Sequence, residues 1–466
     1  MRRRGQSRTI TAVSTAALLA AASYSVSYAQ QAEEEAGLRL TVDVGTGVSV
    51  TENAGLDDPS EGTTTSSTTS LDFGLISETR SSRLIAGVST GLRFRDEPES
   101  DDEAEFIAPD SFVTYTREGA NSAFALNVRF RDEELDERVL TFLDEDLRPV
   151  DFLVDGGNLQ QLSASAQLSL GIEGPLGFTG NVFYNTRDYS DTIDPELYDR
   201  TTFGASAVTS LRFSDVLTGS ITASASEFDA EDAAETERTT TSLGVGLAYD
   251  ISPRTTVSGN VSYDQIETTE FGVFTETTDG LGFAVSAVTE LANGTVGGSL
   301  QRTINTAGER TAISFDRAME LPSGSLSYGL GYTFSDDGED RLTAQLALGR
   351  DLPRGSLSAS LSQQAATNDE DEQVLFTRAA VTYTQDINNV SGFTVDFGLG
   401  RTEEIGSGDG DETTRANLGV TYRRELTSEW DWALGYRTQY LRENAGDGRN
   451  SNTIFTRIDR SFSIRP

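Results

Sequence analysis

The chain has 466 residues, no histidine, no cysteine and a formal net charge of −38. Such a negative charge excludes nucleic acid as a natural partner, and the lack of cysteine excludes disulfides as a source of stability. Without histidine the chain cannot build the Ser-His or Asp-His pairs that hydrolytic enzymes use, so we predict no enzyme activity and no cofactor.

The N-terminal residues predict export. Four arginines precede a short apolar stretch of small residues, and residues 27–29 form a cleavage site of the A-x-A type. We therefore predict a signal peptide over 1–29, a short segment over 30–36 and a transmembrane domain over 37–466. Cleavage removes no acid, so 74 acidic and 32 basic residues remain, a formal charge of −42.

Apolar and polar residues alternate along most of the mature chain. A period of two indicates strands whose two faces meet different environments. Most runs last 9 to 13 residues, which is the length of a tilted strand that spans a membrane. The clearest runs cover residues 38–50, 84–95, 124–131, 162–172, 243–249, 326–334, 342–348, 393–399, 418–422 and 430–436.

The connections between these runs are of two kinds, in alternation. Short, turn-like connections cover residues 78–82, 117–122, 173–177, 214–217, 250–254, 291–294, 321–324 and 352–355. Longer and mostly acidic connections cover residues 95–105, 227–238, 335–340, 368–373 and 402–414. Short turns on one side and long polar loops on the other are typical of barrels in the bacterial outer membrane.

These features resemble a Gram-negative outer-membrane β-barrel of the porin type, and the resemblance covers residues 37–466. It implies an all-β fold, one antiparallel up-and-down barrel with short periplasmic turns and long acidic extracellular loops. The alternating runs and turns predict about 22 strands, within a range of roughly 18 to 24. Residues 454–466 resemble the C-terminal strand that such proteins use as an assembly signal, although Arg465 and Pro466 replace the usual terminal aromatic residue.

The resemblance implies several partners in the outer membrane of the bacterial cell. They are outer-membrane lipid, lipopolysaccharide and the barrel assembly machinery, and a homo-oligomer is compatible with the sequence. The segment 407–413 weakly resembles a calcium loop but lacks its spacing of ligands. We predict a flexible acidic loop there, with divalent cations as loosely held partners of the loops.

The alternation also assigns side chains to the two faces of the wall. Leu92 and Phe94 are predicted to face lipid, so the arginines beside them face the lumen. The predicted lumen-facing arginines are Arg39, Arg83, Arg93, Arg129 and Arg131. Six aromatic residues are predicted to lie in girdles at the membrane interfaces, with a sugar-binding track as the alternative. These aromatic residues are Tyr249, Tyr422, Trp430, Trp432, Tyr436 and Tyr440.

One connection, residues 132–158, carries more apolar residues than a solvated loop requires. Two interpretations stay open: an outer cap that packs on neighbouring loops, or a segment that folds into the barrel and narrows it. In the second case the constriction consists of Asp144, Glu145, Asp146 and Arg148.

The leading functional prediction is a passive or weakly selective channel for small hydrophilic solutes. The alternatives are an export conduit for a polysaccharide and a non-conducting structural or adhesive barrel that acts through its acidic loops. A TonB-dependent receptor would resemble this barrel but would carry a globular plug. The first strand begins about eight residues after the cleavage site, so we expect no plug.

Overall fold

The computed structural model describes residues 37–465 apart from 57–58, 61, 97, 99–102, 135–138, 144–148, 154–156, 193–196, 307, 336–339, 368–372, 405–411 and 445. The predicted signal peptide and the segment 30–36 lie outside the described residues. No helix in the part of the chain that the structure describes is long and apolar enough to cross a membrane.

The described chain is built from β-strands. In chain order they are β1 Gly37–Glu52, β2 Thr63–Glu78, β3 Ser82–Asp96, β4 Glu103–Glu118, β5 Ser122–Glu134, β6 Val139–Leu143, β7 Pro149–Leu153, β8 Asn158–Leu170, β9 Leu176–Ser190, β10 Arg200–Ser214, β11 Leu217–Ala230, β12 Glu237–Ser252, β13 Thr255–Glu270, β14 Phe274–Leu291, β15 Gly294–Asn305, β16 Gly308–Leu321, β17 Gly324–Ser335, β18 Arg341–Leu352, β19 Gly355–Thr367, β20 Gln373–Asn388, β21 Ser391–Glu404, β22 Glu412–Thr427, β23 Trp430–Glu443 and β24 Arg449–Ile464.

Twenty-two of these strands form one closed antiparallel sheet. Each strand pairs with the next along the chain, except that β5 pairs with β8, because β6 and β7 form a separate two-stranded hairpin. The sheet closes where β1 pairs with β24, from Leu40 opposite Ile464 to Glu52 opposite Asn452. The predictions of an all-β, up-and-down barrel and of 22 strands are confirmed.

A cross-strand contact spans the seam of the barrel on its inner face. Arg457 on β24 reaches across β1, and its Nη2 atom donates a hydrogen bond to Ser70 Oγ on β2 at 3.0 Å. Gly45 on β1 leaves the space for this arginine, because a Cβ atom at that position would collide with the side chains of Arg457, Asp459 and Ser70. The seam therefore joins three strands and not only two.

The strands are longer than the alternating runs predicted. Those of the wall contain between 12 and 18 residues, because pairing continues beyond the alternating runs into extracellular ends that do not alternate. Strand β2 shows this, since it begins with the polar sequence TTTSSTTS.

Ten connections at one end of the barrel are short turns, and they include all eight that the sequence predicted. The other two are residues 389–390 and 428–429. Several of these turns end in a glycine with positive φ, such as Gly324 with a φ of 138°. A Cβ atom on Gly324 would collide with the carbonyl oxygen of Gly349 on the neighbouring strand, so the tight hairpin requires glycine there.

The two faces of the wall differ in chemistry along most of each strand. Leu92 is 50% exposed and Phe94 is 57% exposed, whereas Arg93 lies between them on the opposite face. A barrel that spans a bilayer exposes its apolar face to lipid, so the apolar face is the outer one and the polar face lines the lumen.

The register predicts where a charge is tolerated. Leu346 is exposed on the outer face, and Gln345 faces the lumen, where its Nε2 atom donates to Asp316 Oδ1 at 2.7 Å. We expect Leu346→Arg to lower the free energy of unfolding by about 2–4 kcal/mol and Gln345→Arg to be nearly silent. Equilibrium unfolding in lipid vesicles measures both, and equal losses would contradict the assignment of the two faces.

Candidate functional site: the lumen and its extracellular mouth

A network of charged side chains lines the lumen on β4 and β5. Arg129 Nη2 lies 2.8 Å from Asp110 Oδ2, and Arg131 Nε lies 3.8 Å from the same oxygen. Arg131 Nη1 lies 3.4 Å from Glu133 Oε1. Each of these four side chains is between one fifth and about one third exposed. The two arginines are therefore balanced by two carboxylates, and they do not form a free positive patch.

The structure separates the five predicted lumen-facing arginines into two groups. Arg93 on β3 forms an ion pair with Glu105 on β4 at 3.5 Å and lies toward the same extracellular end as the network on β4 and β5. Arg39 is paired in register with Ile76, and Arg83 with Glu78, at the opposite, periplasmic end. Three of the five arginines thus lie in the extracellular half of the wall, and two of them, Arg129 and Arg131, share a carboxylate.

Uncharged polar side chains continue the inner wall on β8 and β9. Ser163 Oγ donates to Asn185 Oδ1 at 2.9 Å, and Gln161 Nε2 donates to the same oxygen at 3.3 Å. The lumen beside the charged network therefore offers hydrogen bonds without adding charge.

The buried side chains of the inner face lie mainly at the extracellular ends of the strands. Each of the apolar examples lies within five residues of an extracellular connection in the sequence. The apolar examples are Leu159, Ile266, Val374, Phe376 and Leu441. Ile76, near the periplasmic end, is an exception. The packed core of this barrel is therefore located in its extracellular mouth, where an open channel would expose polar side chains to water.

Buried arginines belong to the same layer. Arg310 is only 3% exposed, and Arg187 and Arg238 are buried as well. The Arg238 guanidinium lies 5.5 Å from the centre of the Phe228 ring, and its Nε atom donates to Thr268 Oγ1 at 3.3 Å. A buried charge is stable only when it is paired or hydrogen-bonded, so these arginines tie neighbouring strands together at the mouth.

The extracellular loops above this layer are connected to each other and to the wall. Asn53 Nδ2 donates to the carbonyl oxygen of Asn450, at 3.1 Å, and the backbone N–H of Phe271 donates to the carbonyl oxygen of Ala234, at 2.6 Å. Leu56 in the first loop is 1% exposed. These loops thus form an ordered cover at the points that the structure describes.

Backbone strain is also concentrated in these loops. All non-glycine residues with positive φ in the described ranges lie there, and each such conformation costs roughly 1–3 kcal/mol. They are Asn53, Leu56, Asp191, Glu235, Phe271 and Asn444. Such strain persists only when the surrounding structure enforces it, and it is common at ligand clamps and switch regions.

The hairpin of β6 and β7 reaches the opposite side of the barrel. Its two strands pair from Val139 opposite Leu153 to Leu143 opposite Pro149, and Cα atoms of β7 approach β21 within 8 Å. Strands β5 and β21 are eight strands apart along the wall, which is about 38 Å at a spacing of about 4.8 Å per strand. A hairpin that begins beside β5 reaches β21 only by crossing the space that the wall encloses.

Other predicted site residues lie partly or wholly outside the described residues. The four constriction residues, 144–146 and 148, fall in the gap between β6 and β7, and most of the segment 407–413 falls in the gap before β22. In the ranges that the structure does describe, no group of three or more acidic side chains is placed to hold a metal ion.

The predicted interface aromatics do not form one ring. Tyr249, Tyr422, Trp430 and Trp432 lie near the periplasmic turns, and the rings of Tyr422 and Trp432 are 5.9 Å apart. Tyr436 lies midway along β23, where its hydroxyl donates to Asn452 Oδ1 at 2.8 Å. Tyr440 lies farther toward the extracellular loops.

The sequence analysis missed the buried residues at the extracellular ends of the strands. Val374 and Phe376 alternate with Leu375, Thr377 and Ala379, so the strand carries apolar residues on both registers near an acidic loop. Apolar residues on the lumen register were the signal that could have indicated a packed mouth.

Comparison with known proteins identifies the fold. Neither a family model nor a curated protein matches the chain. The FrpB iron transporter from Neisseria meningitidis aligns with a TM-score of 0.59 and 7% identity, over 92% of this chain and 83% of its own. The ferric-catecholate import receptor Fiu from E. coli K12 aligns with 0.55 and 9%, over 92% and 82%. The copper transporter OprC aligns with 0.55 and 13%, over 92% and 81%.

These similarities show an outer-membrane β-barrel that resembles TonB-dependent receptors. The predicted location in the bacterial outer membrane is confirmed. Similar structures at such low identity show the shared fold and leave the ligand of this chain to be proposed.

The prediction of a passive, porin-type channel is wrong. The matching barrels are iron and copper transporters and an import receptor, and neither polysaccharide export nor an adhesive barrel fits them. The strand number gives the physical reason, since porins that leave a water-filled channel have about 16 to 18 strands, whereas barrels of about 22 strands are transporters with a filled lumen. We expected no plug because β1 begins soon after the predicted cleavage site. The start of β1, however, gives only the position of the wall.

Packing at the extracellular end predicts that two phenylalanines contribute differently to the free energy of unfolding. Phe376 is 4% exposed on the lumen side, whereas Phe397 is 40% exposed to lipid. We expect Phe376→Ala to lower the free energy of unfolding by about 3–5 kcal/mol, because it leaves a cavity among packed side chains. Phe397→Ala should cost less, because lipid chains fill the space. Urea unfolding in vesicles compares the two, and a larger loss for Phe397→Ala would contradict a packed mouth.

Proposed function

We propose that the protein is an outer-membrane receptor that takes up a specific small metal-bearing ligand, of the class of iron or copper chelates. The observation that carries this proposal is the closed 22-stranded wall with buried side chains at its extracellular end. Barrels with similar walls include iron and copper transporters and a ferric-catecholate import receptor.

The mouth supports selective uptake for a physical reason. Water-filled channels pass any solute below a size limit, whereas a mouth closed by packed residues opens only for a ligand that binds the open state better than the closed one. The strained loop residues and the hairpin across the opening are the segments that such a ligand would contact first. Recognition therefore falls to the extracellular loops, and passage requires their rearrangement.

Uptake of a scarce ligand against its gradient requires energy, which the outer membrane does not store. We therefore include a TonB-type partner at the periplasmic end in the proposal. Barrels of about 22 strands have a filled lumen. Every strand that the structure describes belongs either to the wall or to the small hairpin, so the strands of a separate filling domain are not among the described residues.

The requirement for energy separates the proposal from a passive channel. Cells that lack their other iron and copper receptors would express this protein and be given radioactive ferric-catecholate, ferric-citrate and copper chelates. We expect uptake of at least one chelate and its loss when an uncoupler collapses the proton gradient or when TonB is deleted. Uptake that is unchanged by both treatments would contradict active transport.

Binding can be followed with a single introduced thiol, because the natural chain has no cysteine. Val273 is 76% exposed in an extracellular loop, so a fluorophore on Val273→Cys reports on the mouth. We expect a saturable change of fluorescence with the chelate that the cells take up, and none with the metal-free ligand. A label on Asn293→Cys, in a periplasmic turn, is the control and should not respond.

We further propose that the hairpin of β6 and β7 narrows the mouth. Replacement of residues 139–153 by a short Gly-Ser linker should make cells sensitive to a large hydrophilic antibiotic that the outer membrane normally excludes. Replacement of residues 231–236, which connect β11 and β12, is the matched control. Equal sensitivity of the two variants would show that the hairpin has no special part in closing the mouth.

A further inference from the structure

The lipid-facing side of the barrel carries arginines close to its periplasmic end. On strands that run toward the periplasm, one backbone N–H near the end of the strand donates to a carbonyl oxygen in a periplasmic turn. This turn is the one that precedes the neighbouring strand. Glu118 donates to Ser81 at 2.8 Å, Asp351 to Ser323 at 3.0 Å and Glu425 to Val390 at 2.8 Å. These bonds define one level of the wall, and the residue immediately before each donor lies on the outer face.

At this level the outer residues are Arg117 on β4, Arg350 on β18 and Arg424 on β22. Ser461 on β24 makes the same type of bond, to Glu429, so Arg460 belongs to the level too. The donors themselves face the lumen and are mostly acidic. The wall therefore carries acids inward and arginines outward at this height.

At this level the arginines lie on one side of the barrel; Arg317 on β16 also faces outward, but it lies two residues farther from its turn and donates to the carbonyl oxygens of Thr295 and Ala318. Strands β18, β22, β24 and β4 lie within one continuous sector that includes the seam. In the opposite sector the same level is occupied by Leu211, Tyr249 and Thr289, which carry no charge at neutral pH. A general requirement for solubility would not concentrate guanidinium groups on one lipid-facing sector.

Arg460 shows how a guanidinium at this level behaves. It passes over the rings of Phe462, 4.3 Å from the centre, and Trp430, 5.1 Å from the centre. Its Nη2 atom ends 2.9 Å from Glu429 Oε2 in the periplasmic turn. The side chain thus extends from the lipid-facing wall toward the aqueous boundary, as long basic side chains near a membrane surface do.

Arg117, Arg350 and Arg424 differ from Arg460 because the described residues provide them with no acidic partner. All three are exposed on the outer face. Phe462 and Ile464, which lie beyond Arg460 toward the periplasmic end of β24, are 37% and 56% exposed on the same face, so lipid contact extends past the arginines. Their charges therefore lie at the edge of the hydrocarbon region, where phospholipid head groups begin.

We propose that Arg117, Arg350 and Arg424 bind the phosphate groups of anionic phospholipids in the periplasmic leaflet. Guanidinium binds phosphate with two parallel hydrogen bonds, and an anionic head group removes the cost of an unpaired charge beside lipid. Acids face the lumen at this height in both sectors, as Asp250 and Glu290 show, so the arginines alone distinguish the sector that would hold the lipids. This site is independent of the ligand that the barrel transports.

The test uses the complete barrel folded in vesicles. One set contains phosphatidylcholine alone, and the other equal amounts of phosphatidylcholine and phosphatidylglycerol. Anionic lipid is expected to raise the folding equilibrium constant by roughly fivefold per arginine, or roughly a hundredfold for three. The variant Arg117→Gln/Arg350→Gln/Arg424→Gln should lose most of this gain.

The control variant Arg39→Gln/Arg423→Gln/Arg437→Gln removes the same charge from lumen-facing positions and should keep the gain. Equal gain in the outer-face variant and the wild type would overturn the proposal, as would an equal loss in the control. The same stabilisation by inorganic phosphate in phosphatidylcholine vesicles would overturn a lipid as the ligand.

A second measurement applies if the triple variant does not fold. Native mass spectrometry counts the phosphatidylglycerol molecules retained by the wild type, by Arg424→Gln and by Arg423→Gln, which differ only in the face that loses its charge. We expect Arg424→Gln to retain fewer molecules than the other two. Equal retention by all three proteins would overturn the site.

Discussion

The rest of the structure depends on one constraint: in lipid, a backbone N–H or C=O group has no water to bond, so each must find a partner in the protein. A sheet meets this requirement only when it has no free edge, which is why the pairing of β1 with β24 decides the architecture. The seam has extra support, because Arg457 crosses β1 at Gly45 to reach Ser70. Closure in turn sets the width of the lumen through the number of strands.

A wide lumen creates the next problem, which is how to control passage. The inner wall balances its charges in place, as Arg129 and Arg131 do with Asp110 and Glu133. Burial is concentrated at the extracellular end, where Phe376 and Arg310 lie under loops with strained backbone and beside a hairpin that spans the opening. In the proposed receptor the wall would stay fixed, and the strained loops would rearrange when a ligand binds.

The charges of the wall are arranged by height as well as by face. Acidic loops occupy the extracellular side, carboxylates face the lumen at the periplasmic rim, and arginines face lipid at that rim. Opposite charges on the two faces of the same strand cost little at this height, because both groups are near water. The same pairs in mid-membrane would be destabilising, and Leu346 illustrates the apolar residues that occupy that depth instead.

Much of the fold could be read from the sequence, because a period of two and tight turns are local properties. The alternation around Leu92, the glycine after the turn at Gly324 and the short connections determined strands, faces and strand number before any contact was known. The mouth could not be predicted in this way. Val374 and Phe376 are apolar on the lumen register, and only the approach of distant loops and of β7 to β21 shows what burial they serve. The grouping of Arg93, Arg129 and Arg131, and the lipid-facing sector of Arg350 and Arg424, likewise arise from strand order around a closed ring, which joins residues far apart in the chain.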